Sequence, residues 1–145
     1  MWDDSRKRFL EAQHSVYDQA LSELRSGRKR THWMWFMFPQ IRGLGRSAIA
    51  DCFGIESREE AQRYLAHEVL GARLRECVDI LVGLPTNDPA EVFGYPDDLK
   101  LRSCLTLFAE VAGHGSAFSL ALDKFFGGVP DKATLRLLEK AGGNV

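Results

Sequence analysis

The sequence has few cysteines, no long apolar run and almost no net charge. Its three cysteines, Cys52, Cys77 and Cys104, are widely spaced and form no CxxC pair, which argues against a disulfide framework or a zinc site. We therefore expect reduced, buried and inert thiols, no metal and no cofactor. The longest apolar run, residues 33–39, is far shorter than the ~20 residues of a membrane-spanning helix. The charged start of the chain has no apolar stretch behind it, so we expect no secretory signal and a cytoplasmic location.

The near-neutral charge also limits the class of partner. A formal net charge of -1 over 145 residues argues against a duplex nucleic acid as partner, although a small nucleotide-like ligand remains compatible with it. Hydrophobic residues make up 45% of the chain and charged residues 27%, which is typical of a folded domain. The chain shows no repeat and no linker, so we expect one domain over residues 1–145 and no membrane partner. The oligomeric state stays open.

Most of the chain shows the periodicity of an α-helix. Apolar residues recur at steps of three and four, and this pattern predicts a compact, mainly α-helical domain of about six or seven helices with at most a short extended segment. Ser57 and Glu60 form a capping box, and Gly71 predicts a break near residues 67–71. Other residues suited to begin a helix are Ser47, Asp88, Ser116 and Asp131.

The run from Trp33 to Phe38 consists only of large apolar residues. Because no regular element can turn all of them to one side, the segment must be enclosed nearly all round, as a short strand or a buried helical turn. Pro39 pushes Phe38 towards an extended conformation. We therefore expect an extended or irregular segment here.

The same region combines positive charge, aromatic rings and a Gly-x-Gly loop. Two indole rings can stack on a planar base, and glycine amides before a helix can attract an anion. In the ordinary alternative, the aromatic residues are core and the loop is only a turn. The candidate ligand-binding residues are His32, Trp33, Trp35, Gln40, Gly43, Gly45, Ser47 and Ser103.

Three further residues are candidates for catalysis. Asp98 could act as a general base, with Lys100 as the charge partner of an anionic group, and Glu60 is a second carboxylate. The alternative is structural, because acidic residues in a first helical turn commonly cap the helix and Glu60 already has a place in a capping box.

The sequence also resembles a known protein family. The motifs that carry the resemblance are His32 to Phe36, Phe38 to Gln40, Gly43 to Gly45 with Ser47, Glu60-Ala61, Tyr64-Leu65 with His67, Leu70-Gly71, Arg73-Leu74, Phe93-Gly94, Asp98 with Lys100-Leu101 and Ser103, and Thr106 to Phe108. They resemble the bacterial and fungal domain-of-unknown-function family 1810 from about Phe9 to Leu138. The chain departs from that pattern at Glu68, where the family usually has proline, and at Cys104, where it usually has serine.

The resemblance implies no established activity. The label calpastatin, often attached to this family, does not suit the chain, because calpastatins are disordered inhibitors and this chain is too apolar to stay unfolded. A more distant likeness is to NADAR (YbiA-like) proteins, small helical domains whose Trp-rich pocket cleaves N-glycosidic bonds. That likeness implies a nucleotide-like or ADP-ribosyl ligand and an N-glycoside hydrolase. In this reading Trp33 and Trp35 would stack the base, the Gly43 to Ser47 loop would take a phosphate, and Asp98 or Glu60 would orient water. The alternative is a non-catalytic protein-interaction module.

Overall fold

The computed structural model describes residues 2–141, and it is mainly α-helical, as the sequence predicts. Ten helices lie in this range rather than six or seven, because residues 2–25 form two helices that are separated at Ser15 and Val16, and several short turns are helical. They are α1 (Trp2–His14), α2 (Tyr17–Arg25), α3 (Met34–Met37), α4 (Ala48–Cys52), α5 (Arg58–Ala66), α6 (Leu70–Gly83), α7 (Pro89–Phe93), α8 (Asp97–Ala112), α9 (Ala117–Phe126) and α10 (Lys132–Ala141).

Helix α8 lies at the centre of the packing. It contacts α5, α7, α9 and α10, while α6 packs against α2, α5 and α9. From Ser103 to Phe108 every residue of α8 is buried, as is expected of a helix surrounded by other helices. The buried apolar side chains form one continuous cluster, and its largest members include Trp33, Tyr64 and Phe108.

The predicted break between α5 and α6 is confirmed, and Gly71 explains it. A Cβ atom on this residue would lie 2.1 Å from the carbonyl oxygen of Leu65, so only glycine allows α6 to begin against the end of α5. The imidazole Nδ1 of His67 accepts hydrogen bonds from the amides of Val69 and Leu70. The new helix therefore starts with its first amides satisfied.

Most of the predicted helix starts are also confirmed. The hydroxyl of Ser57 accepts from the amide of Glu60, as a capping box requires. The Glu60 carboxylate reaches the amide of Glu56, 3.0 Å away, rather than that of Ser57. Four other side chains accept hydrogen bonds from backbone amides in the first turn of a helix: Ser47, Asp88, Ser116 and Asp131.

The prediction of an extended or irregular conformation for the aromatic run, residues 33–38, was wrong. Residues Met34 to Met37 form one helical turn, and the amide of Phe38 donates to the carbonyl of Met34 over 3.0 Å. One turn distributes four side chains around its axis, so a fully apolar segment can be enclosed without a strand. Extended backbone appears instead a little later, where Ile41 forms an isolated parallel bridge with Ile55.

The thiols divide into two groups. Cys77 and Cys104 are fully buried, whereas Cys52, expected to be buried, is exposed at the last turn of the short helix α4. Burial raises the pKa of Cys77 to about 12 and also raises that of Cys104. Over residues 2–141, no helix has both the length and the apolar character needed to cross a membrane.

Candidate functional site

A cleft of about 280 Å³ opens between α3 and the first turn of α8. The segment before α3 and one residue of α4 complete its walls. The residues that line it are Lys29, His32, Trp33, Met34, Trp35, Phe36, Ile49, Asp97 and Lys100. Apolar and aromatic walls with a few polar groups are the usual composition of a small-molecule site.

Two lysines in this cleft share one carboxylate. Nζ of Lys29 lies 2.9 Å from one oxygen of Asp97, and Nζ of Lys100 lies 3.0 Å from the other. The Lys29 side chain is only 8% exposed, so its charge is largely removed from water. Within residues 2–141 both ammonium groups have Asp97 as their ion-pair partner, and two ammonium groups that share one carboxylate favour an anion in the cleft.

The same contacts keep Asp97 ionised. Burial by itself would raise the pKa of this carboxyl, but the hydrogen bonds and positive charges of Lys29 and Lys100 outweigh it and hold the pKa below its usual value. Asp97 is therefore a poor proton donor at neutral pH. Its fixed negative charge keeps both ammonium groups near the cleft.

The two indole rings differ in what they can offer a ligand. Trp33 is only 1% exposed, and its Nε1 donates to Glu23, so most of this side chain belongs to the core. Trp35 is half-buried, and Nζ of Lys100 lies 4.6 Å from its ring centroid. An ammonium group beside a partly open aromatic face can hold a flat group and its negative charge together.

Glu23, on α2, holds the segment that carries one wall of the cleft. Its carboxylate is buried and accepts hydrogen bonds from the amide of Arg30, the amide and hydroxyl of Thr31, Nε1 of Trp33 and Nε2 of Gln19. Burial alone would raise its pKa, but the hydrogen bonds from Thr31, Arg30 and Gln19 lower the pKa to about 2. This ionised carboxylate therefore fixes the backbone just before His32 and the indole ring just after it.

A second cleft, of about 190 Å³, lies beside the first. Trp35 and Lys100 line both clefts, so the two are neighbouring compartments of one site. The other residues lining the second cleft are Gln40, Leu44, Gly45, Pro96, Leu99 and Ser103. A Cβ atom on Gly45 would lie 2.6 Å from Cβ of Ala50, so this wall has no room for a side chain.

The structure brings together most of the residues singled out from the sequence. Four of them line the first cleft and five line the second, with two shared between them. Those lining at least one cleft are His32, Trp33, Trp35, Gln40, Gly45, Lys100 and Ser103.

Four other predicted site residues line neither cleft. Gly43 faces the side chain of Leu137 on α10, and Ser47 caps α4. The Glu60 carboxylate is buried at the start of α5. Asp98 accepts a hydrogen bond from the next amide along the chain. Each of the four has a local contact that accounts for its place in the fold.

Two residues that matter most to the charge of the site were not singled out. Lys29 begins the basic and aromatic segment considered as a ligand site, but its neighbours Arg28 and Arg30 are also cationic, so nothing local distinguished it from them. Asp97 did leave a signal. It lies four residues before buried Leu101, and it therefore shares the helical face that carries Leu105 and Phe108. Asp98, three residues before Leu101, shares that face too, so the spacing marks the pair of acids and not Asp97 alone.

Comparison with known proteins identifies the family. The family model described as "Protein of unknown function (DUF1810)" matches residues 4–138, so the chain belongs to this family. Among solved structures, it is similar to the conserved hypothetical protein Rv1873 from Mycobacterium tuberculosis, with 49% sequence identity and a TM-score of 0.90. The match covers 94% of this chain and 97% of that one. A comparison with curated proteins found no match.

Proposed function

We propose that the protein binds a small anionic ligand with a flat ring, such as a nucleotide or an ADP-ribosyl group, in the paired clefts. The observation that carries this proposal is the shared carboxylate of Asp97, because it holds Lys100 over the half-buried ring of Trp35 and Lys29 over the ring of Trp33 in one cleft. The two ammonium groups would receive a phosphate, and the accessible part of the Trp35 indole would stack the ring. Neither feature is needed to complete the hydrophobic core.

The reaction that we propose for this site is hydrolysis of an N-glycosidic bond, the chemistry implied by the likeness to NADAR proteins. Water would add its oxygen to the sugar carbon as the carbon–nitrogen bond breaks. The proton that water loses would end on the departing base of a nucleotide, or in solvent when nicotinamide leaves NAD as a neutral ring. Because the pKa of Asp97 is lowered, this residue would serve through its negative charge rather than as a proton donor. That charge would hold Lys29 and Lys100 in place to bind the anionic part of the substrate next to the bond that breaks.

Binding is tested by a thermal-shift titration with ADP-ribose, NAD, AMP and GMP. A ligand at about 100 times its Kd stabilises the folded state by about 2.7 kcal/mol, which corresponds to a rise of several degrees in Tm. We expect Lys100→Ala to abolish the shift. Lys7→Ala, which removes an exposed lysine of α1 remote in sequence from the cleft residues, is the matched control and should keep it. No shift with any of the four at millimolar concentration would refute the proposal.

Hydrolysis is tested separately, by following release of nicotinamide from NAD and of free base from nucleotides. We expect Asp97→Asn to lose turnover, and isothermal titration of the same variant shows whether binding persists. Release of no base by a protein that does bind these ligands would refute the hydrolytic reaction and leave the binding proposal standing.

One observation favours the second function, a protein-interaction module. Ile49 lines the first cleft and is 39% exposed, Leu99 lines the second and is 47% exposed, and Tyr95, four residues before Leu99, is 80% exposed. Apolar side chains gathered at one place on a surface often mark a contact with another protein. Substituting Tyr95, which lines neither cleft, by serine would then weaken binding of a partner while leaving the thermal shifts produced by nucleotides unchanged.

A further inference from the structure

The second cleft contains a polar group that the protein itself leaves without a partner. The side chain of Gln40 lines this cleft and is only 5% exposed. Its Nε2 atom has no hydrogen-bond partner within residues 2–141. Most buried polar groups in native proteins are paired, and an unpaired one is destabilising. The missing acceptor of Gln40 therefore points to a group supplied from outside the chain.

The surroundings of Gln40 are already engaged in other contacts. Its carbonyl accepts from the amide of Ile55, 2.9 Å away, beside the bridge of extended backbone, so its main chain is held in place. Of the polar side chains that line the cleft, Lys100 is only a donor, and Ser103 donates to the carboxylate of Asp131 over 3.1 Å, with no hydrogen bond between Ser103 and the Gln40 amide in residues 2–141. A group that enters the cleft can therefore supply the missing acceptor.

The dimensions of the cleft indicate what could enter. Its volume of about 190 Å³ exceeds the roughly 150 Å³ of a cavity known to hold benzene, so one ring system fits. Trp35 and Lys100 border both clefts. A ring lying against Trp35 in the second cleft would leave an attached anionic group beside the two lysines of the first.

We propose that Gln40 selects the ligand by donating from its amide nitrogen to a carbonyl oxygen on the stacked ring. This inference rests on the proposed function and names its substrate class, a nucleotide whose base presents a carbonyl rather than an amino group. A 6-oxopurine offers an acceptor at the position where adenine carries an amino donor. Two donors facing each other cannot form a hydrogen bond, so adenine would leave Gln40 unpaired.

Isothermal titration with inosine monophosphate and AMP tests this selection. We expect the wild-type protein to bind inosine monophosphate about tenfold more tightly than AMP, the discrimination typical of one buried hydrogen bond. Gln40→Glu removes the donor at constant size, and Gln40→Met removes all polarity. Both variants should bind inosine monophosphate no more tightly than AMP. Gln62→Met, at an exposed glutamine of α5, is the matched control and should keep the tenfold ratio.

The outcomes separate this inference from the proposed function. Equal binding of the two nucleotides, with loss of both in Lys100→Ala, would overturn the role of Gln40 and leave the anion site intact. A tenfold ratio that survives both Gln40 substitutions, or a preference for AMP, would overturn it as well. Absence of binding by either nucleotide would overturn both proposals. Thermal unfolding of each variant establishes that the titrated protein is folded.

Discussion

Replacing Glu23 by glutamine should expose how strongly one buried carboxylate organises the wall of the cleft. The folded-state pKa of Glu23 is about 2, against 4.5 for an unperturbed glutamate. A difference of roughly 2.5 pKa units corresponds to about 3 kcal/mol of folding free energy at pH 7, at 1.36 kcal/mol for each unit. The carboxylate supplies this energy through hydrogen bonds from the backbone and side chains of the 30–33 segment.

The pH dependence follows from the direction of the shift. Because the folded pKa lies below the unfolded one, the stabilisation is complete above pH 4.5 and is lost as the pH falls towards 2. About 2 kcal/mol of it should disappear between pH 7 and pH 3. Glutamine keeps the shape of the side chain, but its NH₂ group would face N–H donors, so Glu23→Gln should be about 3 kcal/mol less stable at pH 7.

Urea unfolding of the wild-type protein and of Glu23→Gln at a series of pH values measures both quantities. We expect the gap between the two stabilities to be largest at pH 7 and to narrow steadily towards pH 3. Glu11→Gln, at an exposed glutamate of α1, should follow the wild-type curve throughout. The reasoning is refuted if Glu23→Gln shows the same loss of stability on acidification as the wild-type protein, whatever its stability at pH 7.

Two further predictions concern residues outside the clefts. Gly71→Ala should lower the free energy of unfolding by more than about 2 kcal/mol in urea, because its Cβ would meet the last turn of α5, whereas Gly83→Ala, with open space around it, should be neutral or slightly stabilising. Equal effects of the two would contradict the packing argument. A thiol reagent at pH 8 should modify Cys52 alone in the folded protein and all three cysteines in denaturant, since burial raises the pKa of Cys77 and Cys104. Rapid reaction of more than one thiol in the folded protein would contradict the burial.

The parts of the fold that could be predicted from the sequence are those set by neighbouring residues. Cap residues such as Ser57 and Asp131 act over three positions, and Gly71 acts on the turn just before it, so each leaves a local signature. The helical turn that follows Trp33 has no such local signature in the sequence. A fully apolar hexamer suits a buried strand and a buried helical turn equally, and only the surrounding packing decides between them.

The candidate site could be predicted only in part, for the same reason. Its aromatic residues and Gln40 lie close together in the sequence, so Trp35 and Gln40 could be predicted as members of one site. The ion pair between Asp97 and Lys29 depends on how α8 packs against a segment that is distant in sequence, and residue spacing cannot predict such a contact. Helical phase does not separate Asp97 from Asp98 either, because they lie four and three residues before buried Leu101 and both spacings share a face.

The segment before α3 has no regular secondary structure, yet it is fastened at both ends and along its length. The amide of Lys29 donates to the carbonyl of Val92, its ammonium group binds Asp97, and Glu23 holds the backbone that follows. A wall held in this way is already ordered before a ligand arrives. Association then loses little conformational entropy from the protein, so more of the contact energy is expressed as affinity. A rigid loop of this kind also favours one ligand shape over many, since it cannot adapt to a poorly fitting one.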